Sequence, residues 1–194
     1  YFADLIVFEG SIVDGKLPAV PAAHAARMLK PRGGKLYLGQ PGELREATAR
    51  LNSKALRNWI GQMNLAHARR AEADAGSDGT WAVLTRGELP GAGDWTHLYA
   101  NPGNTACSDD QRVKAPLGVL WFGRPGPGNM VNRHRRAAGP LAFEGRMFVQ
   151  GQNMLMAFDA YNGLELWRRE LPGAMRIDVS HQSSNLTVNR HGLF

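Results

Sequence analysis

Cysteine is almost missing from this chain of 194 residues: Cys107 stands alone. That excludes an internal disulfide, a thiolate metal cluster and a paired-cysteine redox site, and it leaves the compartment open. Long hydrophobic runs are missing too. No stretch approaches the roughly 18 apolar residues that a transmembrane helix needs, so no membrane span is expected. Charge of one sign does not accumulate in either half. The net charge of +6 divides into +3 for residues 1–93 and +3 for 94–194, which fits solubility and gives no dedicated face for nucleic acid, so no nucleic-acid partner is expected. There is no nucleophile elbow, no P-loop and no metal-binding motif. His24, His67, His97, His181 and His191 show no i, i+4 spacing and no nearby carboxylate pattern, so no metal site is expected and no catalytic residue can be named.

What is present is a globular composition, 43% apolar, and a length that admits one or two domains. The chain opens at Tyr1 within an apolar run, without an initiator Met, and reads as a piece of something longer. Asp4–Gly10 carries four consecutive apolar residues, Leu5–Phe8, which predicts a strand buried on both faces of a parallel sheet. Pro21 suits the first residue of a helix over 22–30, closed by Pro31 and the Arg32-Gly33-Gly34 turn. Lys35–Gly39 returns as a second strand, giving a βαβ unit with a right-handed crossover. Leu44, Ala47, Leu51, Ala55, Trp59 and Met63 mark one stripe of a helix about 20 residues long. Leu65–Ala75 extends it or forms a short helix of its own, and Thr80–Thr85 reads as an edge strand.

Gly87–Gly93 is rich in Gly and Pro, and the domain boundary is placed there: residues 1–87, a linker over 88–93, and 94–194. In the second part, Pro140–Leu171 reads as four short strands (141–143, 146–149, 154–158 and 164–171). Gly145, Gly151 and Asn162-Gly163 supply the turns, which makes an up-and-down antiparallel sheet. Leu120-Trp121 aligns with Leu166-Trp167 at an offset of 46, and Leu141-Ala142-Phe143 with Leu186-Thr187-Val188 at 45. Such a period is that of a propeller blade. The repeat predicts a strand over Leu117–Phe122 and the start of a third repeat near the end of the chain. A plain hairpin of a β-sandwich is the alternative. Gly123–Gly139 holds Arg124, Arg133, His134, Arg135 and Arg136, which could grip a phosphate or carboxylate or be ordinary solvated charge.

Two resemblances rest on these residues. Leu29-Lys30-Pro31-Arg32-Gly33-Gly34-Lys35-Leu36-Tyr37-Leu38 resembles the signature that joins a helix to the fifth strand in class I S-adenosylmethionine-dependent methyltransferases. Arg32 is an insertion in that pattern, and any doubly wound α/β domain can show the same turn. The resemblance covers about residues 3–86 and implies the second half of that fold. Phe8, Glu9 and Gly10, at the carboxyl end of the first strand, are then placed to touch the cofactor, although Glu9 could equally be a solvated loop carboxylate. Ala157-x-Asp159-x-x-x-Gly163-x-x-x-Trp167 resembles the repeat signature of quinoprotein-type (PQQ-like) β-propellers, with Asn162 where Thr is usual.

Together they imply two domains. The first is α/β, a partial doubly wound Rossmann-like methyltransferase sheet. The second is all-β, a partial PQQ-type propeller with one antiparallel four-stranded blade. The implied function is methyl transfer from S-adenosylmethionine by the intact protein, with the propeller binding a protein or small-molecule partner. Alternatives are a non-catalytic propeller scaffold with a degenerate α/β domain, or a quinone-dependent dehydrogenase. The quinone PQQ itself is not expected, because adjacent cysteines and calcium-binding carboxylates are not recognisable. An active methyltransferase would imply the cytoplasm; the propeller would imply the periplasm or envelope. Trp167 is expected to be largely buried, with Asp159 bonded to the backbone of its turn.

Overall fold

The computed structural model describes residues 2–43, 49–76, 79–123, 139–172 and 186–194. The chain divides into two compact units, Tyr1–Pro90 and Gly91–Phe194.

The first unit is a mixed four-stranded sheet with three short helices. Its strands are β1 (Leu5–Val7), β2 (Lys35–Gln40), β3 (Arg69–Gly76) and β4 (Gly79–Thr85), in the order β1-β2-β4-β3. The helices are α1 (Glu9–Asp14), α2 (Ala22–Met28) and α3 (Ser53–Gly61). The pairing of β1 with β2 is parallel, Ile6 opposite Leu36, as the sequence predicts. The other two pairings are antiparallel. A single parallel pair followed by a β3–β4 hairpin is not a doubly wound sheet, and the Rossmann-like expectation is corrected here. β1 is short and lies at an edge, with Leu5 57% and Val7 51% exposed. Its apolar run therefore does not mark burial on two faces.

Tertiary partners also reassign three local elements. Buried Gln40 donates from Nε2 to the Ala49 carbonyl and accepts the Leu51 amide at Oε1, both at 2.8 Å. That clamp holds 49–51 out of helical geometry, so α3 starts only at Ser53, capped by Asn52, whose side chain accepts the Ala55 amide. Such a cap satisfies one of the orphan donors of the first turn. Leu56, Trp59, Ile60 and Met63 then form the buried stripe, at i, i+3, i+4 and i+7. The predicted stripe over 44–63 is corrected to this shorter one, and residues 44–48 lie outside the described residues. Residues 69–76 are a strand rather than a helix end: pairing with β4 overrides an Ala-, Glu- and Asp-rich composition that suits a strand poorly. β4, predicted at an edge, is central. Leu36 and Leu38 of β2 lie opposite Leu84 and Ala82 of β4, and these four join α2 and α3 in one core.

The second unit is an antiparallel sheet of β5 (Leu141–Phe143), β6 (Arg146–Gly151), β7 (Met154–Asp159) and β8 (Glu165–Glu170) in sequential order. The up-and-down arrangement follows the sequence reading, as do the left-handed Gly145 and Gly163, but Gly151 is corrected: it ends β6, and Asn153, φ 53°, is the left-handed residue of the second turn. β6 and β7 read as nearly continuous apolar runs because both faces are packed. Phe148 and Ala157 bury one face; Val149, Met156 and Phe158 bury the other. Trp95 extends the sheet by one bridge to Ala142. Near the end of the chain, β9 (Val188–Asn189) and β10 (Gly192–Leu193) form a small separate hairpin, whose Val188 joins the Phe148 cluster. The partial propeller is corrected as well. The described sheets are open, and Leu117–Phe122 forms no strand. Among the described residues no helix is long and apolar enough to cross a membrane.

Candidate functional site

Phe8, Glu9 and Gly10 follow β1 directly and open α1. Phe8 caps the helix in extended geometry. Its carbonyl accepts both the amide and the hydroxyl of Ser11, at 3.1 and 2.8 Å. Its ring packs partly on the core of the unit, and a Cβ on Gly10 would stand 2.8 Å from that ring. Ser11 is fully buried and also accepts the Gly39 amide at 3.4 Å. Phe8 thus caps α1 and lies close to Gly10, Ser11 joins α1 to β2, and Glu9 is exposed.

The Lys30–Gly34 turn has a structural account of its own. Arg32 adopts a left-handed conformation, φ 57°. The amides of Arg32 and Gly33 donate to the carbonyls of Gly87 and Arg86, at 2.8 and 2.9 Å. A Cβ on Gly34 would lie 2.5 Å from the Lys30 carbonyl oxygen. The turn therefore fastens the start of β2 to the exit of β4. Arg86 is itself buried, and its guanidinium donates to the carbonyls of Ala26 and Leu29 at the end of α2. A cation there complements the negative end of the helix.

In the second unit Ala157 is fully buried between Phe148 and Trp167 in the register of the sheet. Asp159 is buried, and its Oδ1 accepts the Tyr161 amide at 2.9 Å while its carbonyl accepts the Gly163 amide at 2.9 Å. The expected role of Asp159 in its turn is therefore seen. Trp167 departs from expectation. It is 39% exposed, because β8 is the last strand of the open sheet, and it leans on Phe148 with ring centroids 6.1 Å apart. The tryptophan that does seat itself is Trp121. Its indole N–H donates to the Ala160 carbonyl at 2.9 Å, and its ring lies where a Cβ on Gly163 would stand, 2.4 Å away. The sequence repeat singled out Trp121 but not this contact, which joins positions 39 residues apart.

The segment between Trp95 and Trp121 is held by side chains instead of strand pairing. Asp94 accepts the Glu144 amide at 2.9 Å. Asn101 bonds Gly103, Thr105 and the Cys107 carbonyl. The ring nitrogens of His97 lie 2.8 Å from the Thr96 hydroxyl and 3.1 Å from that of Thr187. Asp110 accepts the amides of Gly93, Arg112 and Val113 at 2.7–2.8 Å. These backbone donors, Gly93 first, hold its carboxyl below the usual carboxylate range. A depressed folded pKa stabilises the fold above the unfolded value of about 4 and loses that contribution as pH falls through the lower folded value. Replacing Asp110 by Asn is therefore expected to flatten the acid limb of the stability curve below about pH 4. Thermal melts of both chains at stepped pH measure this, and parallel acid limbs would refute it.

Among the described residues no three His, Cys, Asp or Glu side chains gather as a metal site. His24, His67 and His191 are exposed, and Cys107 lies free at the surface. Arg124, Arg133, His134, Arg135, Arg136 and His181 lie outside the described residues. No protein-family model, curated protein or solved structure matches the chain.

Proposed function

We propose that the chain acts as a non-catalytic binding scaffold, with an extended peptide segment of a protein partner adding to the outer edge of β8. One observation carries this reading. β8 pairs with β7 on one side, and all six of its residues are exposed, Leu166 and Trp167 among them. Among the described residues no strand pairs with its other edge, and a row of backbone donors and acceptors beside apolar side chains is what strand addition uses for affinity and specificity. The register irregularity at Ala157/Phe158 and the charges of Glu165, Arg168, Arg169 and Glu170 are features that keep such an edge from pairing indiscriminately. The second reading is methyl transfer from S-adenosylmethionine. It is favoured by the parallel β1–β2 pair with Phe8–Gly10 at its carboxyl end, where parallel sheets take ligands.

Calorimetric titration separates the two. S-adenosylmethionine and pyrroloquinoline quinone are expected to give no binding heat with the 194-residue chain. Short extended peptides selected from a displayed library are expected to bind and to shift the amide resonances of Leu166–Glu170. Changing Leu166 and Trp167 to Ser should weaken that binding at least about tenfold, since apolar anchors carry most of such an interface. Micromolar binding of the methyl donor, with no peptide selected, would replace the scaffold by the enzyme.

A further inference from the structure

β8 carries charge on both of its faces, and the two faces differ in how that charge is neutralised. Glu165 and Arg168 bond each other at 2.8 Å. The register irregularity between Ala157 and Phe158 lets them meet, because it turns Glu165 to the face of Arg168. Glu170 lies on that same face, two residues beyond Arg168. Arg169 lies on the other face, two residues beyond Trp167. Register sets Trp167 opposite Ala157 and Arg169 opposite Leu155, and the Trp167 ring leans on Phe148. Arg169 is exposed and has no ion pair among the described residues. Leu155 and Gln150, its neighbours across the sheet, carry no charge.

The backbone decides how an added strand would meet these side chains. The Leu171 amide donates inward to the Asn153 carbonyl at 2.9 Å. By the alternation of an antiparallel ladder, Arg169 and Trp167 also turn their backbone groups toward β7, and Arg168 and Glu170 turn theirs outward. A segment added antiparallel would therefore hydrogen-bond Arg168 and Glu170. Its residues opposite Trp167 and Arg169 would form the non-hydrogen-bonded pairs, in which side chains stand closest.

We propose that the segment taken by β8 is acidic at one defined position, with an Asp or Glu facing Arg169 and, two residues later, an aliphatic or aromatic residue facing Trp167. This rests on the strand-addition reading and adds the chemistry of the partner to it. The carboxylate supplies the ion pair that Arg169 lacks, in a geometry the guanidinium fork fits. The apolar residue covers the indole that the open edge leaves 39% exposed. A carboxylate facing Arg168 gains less, because Glu165 already holds that guanidinium.

Titration of the 194-residue chain with three synthetic peptides, followed by amide resonances, tests it. The first is Thr-Val-Thr-Glu-Thr-Ile-Thr, and the others carry Gln or Lys in place of Glu. The Glu peptide should bind about fivefold more tightly than the Gln peptide, the upper end for opposed charges on neighbouring strands, and the Lys peptide should bind most weakly. Arg169→Gln should abolish the preference for Glu while leaving the affinity for the Gln peptide unchanged. Arg169→Glu should make the Lys peptide the tightest. Arg169 is exposed, so both variants should keep the parent spectrum outside β8, which checks folding. Equal binding of the Glu and Gln peptides, or a preference that survives Arg169→Gln, would overturn the proposal and leave strand addition standing. No binding of any of the three, with no shift in β8, would remove both.

Discussion

Replacing Arg86 by Met should lower the stability of the N-terminal unit by about 3 kcal/mol, roughly the value of hydrogen bonds from a charged donor plus the penalty for buried acceptors left unpaired. Met keeps most of the volume, so the loss reports the guanidinium rather than a cavity. The carbonyls of Ala26 and Leu29 lose a donor in a place closed to water. Arg86→Lys keeps the charge without the rigid fork and should recover only part of the loss. Denaturation followed at 222 nm reads this unit, because all the described helices lie in it. A midpoint unchanged in Arg86→Met would show that α2 does not depend on this contact.

The second large effect is expected at Gly163. Its φ is +74°, a conformation that costs an L side chain about 1–2 kcal/mol. The added methyl would also displace the Trp121 ring, at a further cost of about 1–3 kcal/mol for overpacking. Gly163→Ala should therefore destabilise the C-terminal unit by about 2–4 kcal/mol. Trp121 should become more solvent-exposed, with a red-shifted emission. Trp167→Ala serves as the comparison. Because Trp167 is on an open edge, its removal should cost less than half as much, although its place in the repeat would give it the larger role. Amide exchange across β6 and β7 measures both, and a larger effect for Trp167 would reverse the assignment.

The difference between these two tryptophans shows what was legible. The strands over Pro140–Leu171 and their order could be read along the chain, because hairpins with tight glycine turns are set by residues a few positions apart. The role of Asp159 was readable for the same reason: its partner is the Tyr161 amide, two residues on. Parallel pairing of β1 with β2 was also readable, from a strand, helix, turn and strand at close spacing.

The candidate site was legible only in part. Phe8, Glu9 and Gly10 follow β1 as their order along the chain implies, but the neighbouring contact from the Gly39 amide to the Ser11 hydroxyl joins positions 28 residues apart and could not be read from that order. Trp121 was found by repeat, but its seat on Gly163 depends on how a strandless segment returns to the sheet.

Local sequence thus determined the hairpin sheet, its turns and one parallel pair, because neighbouring residues enforce those through backbone geometry and burial periodicity. Tertiary structure alone decided the rest. Gln40 kept 49–51 from being helix, and β4 drew an alanine- and acid-rich segment into a strand. An open edge left Trp167 in solvent. In the first two cases the deciding partner is brought in from elsewhere in the chain, a side-chain amide in one and a strand in the other; in the third it is the lack of a further strand beside β8 among the described residues. The few kcal/mol that such a contact supplies exceed the fraction of a kcal/mol by which residue propensities differ.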